Sequence, residues 1–232
     1  MLDHINIEDI LFLDIETVPL TYSYGDLNED TRKLWDNKFR HLPVEMPETQ
    51  YKKAGIYAEF SKIICISVGI LKNETLRIKS FSSHDEINIL MSFSDLLNKH
   101  YNKKNQVLCA HNGKEFDFPF IARRMLINGV RLPKLLNIAG KKPWEVNHLD
   151  TMELWKFGDY KNYTSLNLLA SLFKIPTPKD DIEGADVSRV YWEEKNLERI
   201  VSYCQKDVLT VAQLLLRFKG EALVKLENVV TA

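Results

Sequence analysis

Apolar residues run unbroken from Ile10 to Leu13 and then give way to acids at alternate positions, Asp14 and Glu16. Residues 10–16 read as a buried strand emerging at a polar end. Thr17-Val18-Pro19 then breaks it, because proline cannot donate to a ladder. Residues 62–71 are rich in β-branched side chains and predict a second strand. Residues 75–81 alternate and pair with it as an antiparallel hairpin across Lys72-Asn73-Glu74. A helical period then takes over at 84–100, with Ile87, Leu90, Met91, Leu96 and Leu97 on the apolar side. It returns at 115–128, with Phe118, Ile121, Ala122, Met125 and Leu126. Short strands are expected at 107–110 and near 146–150, and a short helix at 166–173. The last helix runs near 196–218, from an N-cap at Asn196 to a stop before Gly220. Residues 20–61 form a polar insertion dotted with aromatics, with one helix near 29–41 anchored by Leu34, Trp35 and Phe39.

An antiparallel opening followed by strand–helix alternation predicts an α/β fold, a mixed sheet with helices on both faces. That is compatible with a ribonuclease H-like core, though periodicity alone does not single it out. With 232 residues, 45% of them hydrophobic, the chain fits one domain spanning 1–232. The net charge of -1 argues against a wholesale basic surface. Local patches remain available at Lys52-Lys53, Lys103-Lys104, Arg123-Arg124 and Lys141-Lys142, each of which also reads as an ordinary solvated pair. Cys65, Cys109 and Cys204 lie in apolar segments without paired spacing, as reduced core residues would. The acidic start does not resemble a signal peptide, and no apolar run is long enough to span a membrane, so a cytoplasmic protein is expected.

The candidate chemistry lies in three short segments. Asp14 and Glu16 are two apart on a strand and project from one face. Two ionised carboxylates at ~4 Å repel by about 4 kcal/mol at an effective dielectric near 20, a penalty that a divalent cation removes. Tyr203 and Asp207 are four apart on the last helix, beside the stripe of Ile200, Cys204, Val208 and Val211 that docks it on the sheet. Asp207 at the border of that stripe is costly unless ligated or paired. A fourth acid is offered twice. Asp117 follows Phe116 at a helix start and Asp150 ends a strand, and each has an ordinary capping role as its alternative. Asp180-Asp181 reads as loop chemistry. Carboxylates without a His/Cys cluster favour Mg²⁺ or Mn²⁺ over zinc. Two such ions can clamp a phosphodiester while a tyrosine hydroxyl orients water; its reference pKa near 10 argues against a role as base.

The ordered set Asp14-Ile-Glu16-Thr, Asn112-Gly-Lys-Glu-Phe116-Asp117 and Tyr203-Cys-Gln-Lys-Asp207 resembles the DEDD exonucleases of the DnaQ-like, ribonuclease H-fold superfamily. It is similar to stand-alone predicted 3′–5′ exonucleases related to the family B DNA polymerase proofreading domain. Ser202 stands where the histidine subclass has its histidine, so the resemblance is to the tyrosine subclass. It spans roughly residues 10–215, and 150–155 and 178–184 are also similar to that group. It implies a five-stranded ribonuclease H-like sheet and two divalent cations, Mg²⁺ or Mn²⁺. It further implies Asp14, Glu16 and Asp207 on the first cation, with Asp14 bridging to the second near Asp117. Tyr203 would position water, and Asn112 and Phe116 would line the substrate channel. The match also prefers Asp117 to Asp150 as the fourth acid.

The expected activity is release of nucleoside monophosphates from single-stranded 3′ ends, with DNA favoured over RNA. Because the sequence ends 25 residues after Asp207, no polymerase domain is expected in the same polypeptide. The alternatives are an exoribonuclease, a short-oligonucleotide hydrolase and a non-catalytic nucleic-acid-binding module. Protein partners and the role of 20–61 are not legible in the residues.

Overall fold

The computed structural model describes residues 2–41, 46–159, 161, 163–176 and 182–231. Asp180-Asp181 and most of the 178–184 segment lie outside the described residues. Six strands form one sheet in the order β5-β4-β1-β2-β3-β6. They are β1 (Ile10–Pro19), β2 (Ser61–Lys72), β3 (Thr75–Ser82), β4 (Val107–Ala110), β5 (Leu149–Asp150) and β6 (Val229–Thr231). The sheet is mixed: β1–β2 and β2–β3 are antiparallel, whereas β1–β4, β4–β5 and β3–β6 are parallel. Six strands replace the expected five, because a three-residue segment at 229–231, too short to show a period, adds alongside β3.

Strand β1 continues through Pro19 rather than ending at Glu16. Its partner β4 pairs only with Ile10–Phe12, so beyond Phe12 that side of β1 carries no strand and a proline is tolerated. On the other side β1 remains paired with β2 to Ser61, around a bulge: Glu16 faces Cys65 and Thr17 faces Ile63, leaving Ile64 as the extra residue. The β2–β3 hairpin closes through Asn73 and Glu74, both at positive φ (48° and 61°) as a tight hairpin turn requires.

Strand alternation sorts β1 between two cores. Leu11, Leu13 and Ile15 face helices α3 (Glu86–His100) and α4 (Asp117–Ile127). Ile10 and Phe12 face the long helix α8 (Leu197–Lys219), meeting Val208, Val211 and Leu215. Asn196 caps α8 by accepting the Arg199 N–H, and Gly220 ends it at φ 74°. The inward face of α3 is Ile89, Leu90, Phe93 and Leu97; Ile87 and Met91, expected there, are exposed. On α4, Leu126 likewise turns outward. Of the other expected positions, Leu90, Leu97, Phe118, Ile121 and Met125 face the core, and a buried Arg124–Glu86 ion pair joins the two helices. Arg124 Nε donates to Glu86 Oε1 at 2.9 Å, and Glu86 also accepts the Ile63 N–H at 2.7 Å. Arg124 is therefore a core residue and not part of a surface patch.

Residues 20–61 build a small core of their own around Trp35, with Leu27, Phe39, Tyr51, Ala54 and Phe60. Helix α1 (Glu29–Lys38) supplies Trp35, while Leu34 is 63% exposed. A second helix, α2 (Met46–Tyr51), and a 3-10 turn at 54–56 complete it, and Thr17 ties it to β1 by donating to the Gly55 carbonyl at 2.7 Å. The short helices α5 (Thr151–Lys156), α6 (Leu166–Leu172) and α7 (Val187–Trp192) flank the described core.

Candidate active site

Asp14 and Glu16 continue the face of β1 on which Ile10 and Phe12 pack against α8. The same alternation that buries two apolar side chains thus aims two carboxylates at the N-terminal half of that helix. There Cys204 is buried, with Tyr203 and Asp207 to its side, both half-buried. The ligand atoms of Asp14, Glu16 and Cys204 lie within 4.8 Å of one another. Because β4 pairs no further than Phe12, Asp14 and Glu16 stand level with the loop that follows β4. They lie past the carboxyl end of β4, the end of parallel strands at which ligands of open α/β sheets bind.

That loop delivers Asp117, which is 3% exposed and opens α4. Its carboxylate accepts backbone N–H groups of Ile15 and of Asp117 itself, so it is tied to β1 between the two strand acids. Two features shape the loop. Asn112 adopts φ 63°, and a Cβ on Gly113 would stand 2.4 Å from the Ala110 Cβ and 2.9 Å from the Phe118 Cζ, so only glycine fits. The buried Asp150 carboxylate fastens the turn: Oδ1 accepts the N–H groups of Asn112 (2.9 Å), Met152 (2.9 Å) and Glu153 (3.3 Å), and Oδ2 accepts that of Lys114 (3.0 Å). Asp150 is thus a cap and loop clamp. Its oxygens are spent on backbone donors.

The electrostatics mark the cluster. Burial, and after it the charges of Asp207, Glu16 and Asp117, raise the Asp14 carboxyl well above the usual range; Cys204, donating to Asp14 Oδ2 at 3.2 Å, partly opposes this. Burial and Asp207 do the same to Glu16. Asp117 is pushed up to about 8, mainly by burial. The Tyr203 phenol is raised by burial and by Asp207, Glu16 and Asp14, and it hydrogen-bonds Asp207. Burial and neighbouring charge thus oppose ionisation of Asp14, Glu16 and Asp117, and a cation placed among them would relieve that cost.

The structure therefore brings Asp14, Glu16, Asp117, Tyr203 and Asp207 into one cluster from three separate elements. Phe116 precedes α4 and packs on Phe120, ring centroids 5.2 Å apart, against the core. Asn112 lies in the loop with its side-chain oxygen buried and without a partner. Cys204, read from sequence as a core residue, is also part of the cluster. Its place one residue after Tyr203, on the stripe facing the strand acids, was the available signal.

A family model described as "Predicted 3'-5' exonuclease related to the exonuclease domain of PolB" matches residues 56–225. The chain belongs to this family. Asp117, Tyr203 and Asp207 fall within the matched stretch, while Asp14 and Glu16 precede it on β1. Among solved structures, the family B DNA polymerase from the hyperthermophilic archaeon Pyrobaculum calidifontis matches with a TM-score of 0.56 and 17% identity, over 90% of this chain and 24% of that one. This likeness is one of fold, and the chain spans about a quarter of the polymerase's length. No curated protein matches. Among the described residues no helix is long and apolar enough to cross a membrane.

Proposed function

We propose that this chain is a metal-dependent 3′–5′ exonuclease of the tyrosine-type DEDD class, acting as one domain on single-stranded ends, with DNA favoured over RNA. The observation that supports it most is the convergence of four carboxylates from β1, α4 and α8 around one tyrosine. The donor set fits a hard divalent cation: acidic oxygens, partly desolvated, with proton affinities raised by one another's charge. Asp14, Glu16 and Asp207 would hold one Mg²⁺ or Mn²⁺, and Asp14 and Asp117 would hold a second. When bound, the pair supplies an activated water and neutralises charge on the phosphodiester.

The remaining roles belong to the chain's own groups. Tyr203, whose phenol stays protonated, orients the attacking water and does not remove its proton. Its hydrogen bond to Asp207 fixes the ring against the cluster. Asn112 and Phe116 border the entry to the site from the Asp117 loop. Cys204 donates to Asp14 from below and limits its rotation.

The test is 5′-labelled DNA and RNA of one sequence, each with Mn²⁺, Mg²⁺ or chelator. A metal-dependent ladder shortening from the 3′ end is expected, faster on DNA. Asp14→Ala and Asp207→Ala should lose it while keeping the fold, and Tyr203→Phe should retain a fraction of the rate. Undiminished cleavage in Asp14→Ala would remove the assignment.

A further inference from the structure

Beside the Asp117 loop lies a groove of about 400 Å³, lined by Asn112, Lys114, Glu115, Lys141, Glu153 and Lys156 among others. Two exposed aromatic side chains stand on segments next to lining residues. Trp144, 76% exposed, sits in the turn between Lys141 and Val146, and Lys142 Nζ lies 5.2 Å over its ring. The turn is braced, with the Lys142 N–H donating to Glu145 Oε2 at 2.7 Å and the Glu145 N–H to the Lys142 carbonyl at 2.9 Å. Tyr163, 68% exposed, donates to Glu115 Oε2 at 2.8 Å, with Lys156 Nζ 4.7 Å over its ring.

Exposed flat rings carrying lysines, on supports that fix their orientation, offer faces for stacking next to positive charge. The lining's three lysines and three acids balance, so the free positive charge lies at the Lys141 end. Glu153 pairs with Lys114 and Glu115 with Lys156, Asp150 is buried, and Lys141 forms no ion pair among the described residues. Alternating aromatic and basic side chains along a groove are what a single strand of nucleic acid needs: π-faces for its bases and cations for its phosphates.

We propose that this groove is the track for the single strand on the 5′ side of the cleaved end. Bases stack on Trp144 and Tyr163, and phosphates meet Lys141 and Lys142. The inference rests on the exonuclease reading and extends it: strands that reach Trp144 are held more tightly than very short ones.

The test reads binding with turnover switched off, by fluorescence anisotropy of labelled oligothymidylates on the Asp14→Ala protein in chelator. Trp144→Ala should weaken a long oligothymidylate about tenfold, as loss of one stacked base does. Lys141→Ala/Lys142→Ala should weaken it and make its salt dependence shallower. Lys225→Ala, just before β6 at the opposite edge of the sheet from β5, should leave affinity at the parent value. Equal affinities in parent, Trp144→Ala and the Lys141/Lys142 variant would overturn the track, as would a parent that binds no strand. Cleavage by the unmutated protein reports separately on the exonuclease reading, so the two failures are distinguishable.

Discussion

At the residue scale, the acids of the cluster are poor ions in the bare protein because they share a desolvated space. Asp117 shows the consequence with a definite sign. The folded chain keeps its proton up to about 8, while the unfolded chain releases it near the ordinary aspartate value of about 4. Over that interval the folded state binds more protons, so its contribution to stability is present at low pH and is lost as pH rises through the folded value. In chelator, the denaturant midpoint should fall between pH 5 and pH 8, and Asp117→Asn should flatten the fall. A decline of equal size in the variant would count against Asp117 as a buried member of the cluster. Asp150 makes the contrast: equally buried, it satisfies its oxygens with four backbone N–H groups and serves the loop's shape.

At the element scale, the site depends on how closely α8 lies on β2. Gly69 permits that approach, since a Cβ there would stand 2.8 Å from Val208 Cγ1, with Leu76 and Phe12 just behind. Val208 follows Asp207, so a side chain at 69 moves the helix that carries Tyr203 and Asp207. Gly69→Ala should cost about 1–3 kcal/mol in urea unfolding. Its cleavage rate should drop by more than that stability loss explains, because the α8 acid shifts against the strand acids. A variant of unaltered midpoint and rate would show that the helix repacks freely. These element contacts were only partly legible. The Ile200–Cys204–Val208–Val211 stripe announced that α8 docks on the sheet, but nothing in the residue order marked Gly69 as its landing point. On α3 and α4 the core positions Leu90, Leu97, Phe118, Ile121 and Met125 were legible, but the buried charge pair of Glu86 with Arg124 was not, since periodicity reserves the inner face for hydrocarbon.

At the scale of the whole molecule, one cluster gathers residues from 14 to 207, so occupancy by cations links distant parts of the chain. Binding to the folded state alone raises stability by mass action. Mn²⁺ should therefore raise the melting temperature of the wild-type protein. The increment should be larger at pH 8 than at pH 6, where protons held by the raised carboxyls compete with the metal. Asp14→Ala should lose most of it. An increment independent of pH, or one that survives in Asp14→Ala, would place the cation elsewhere.

The residues alone determined the strands at 10–16, 62–71 and 75–81, the long last helix and the pairing of acid with acid, because each is a local matter of period and spacing. Alternation along β1 already put Asp14 and Glu16 on one face, and a four-residue step already put Tyr203 beside Asp207. What joins those pairs is not local. Only the tertiary structure decided that Asp117 hangs from the Ile15 backbone, that Asp150 is spent on N–H groups, and that Cys204 joins the cluster. It also decided that Pro19 is harmless where β4 has ended and that 229–231 adds a sixth strand. Each of these turns on which polar groups are left without partners once the sheet and α8 have closed, a quantity that exists only when distant segments are in contact.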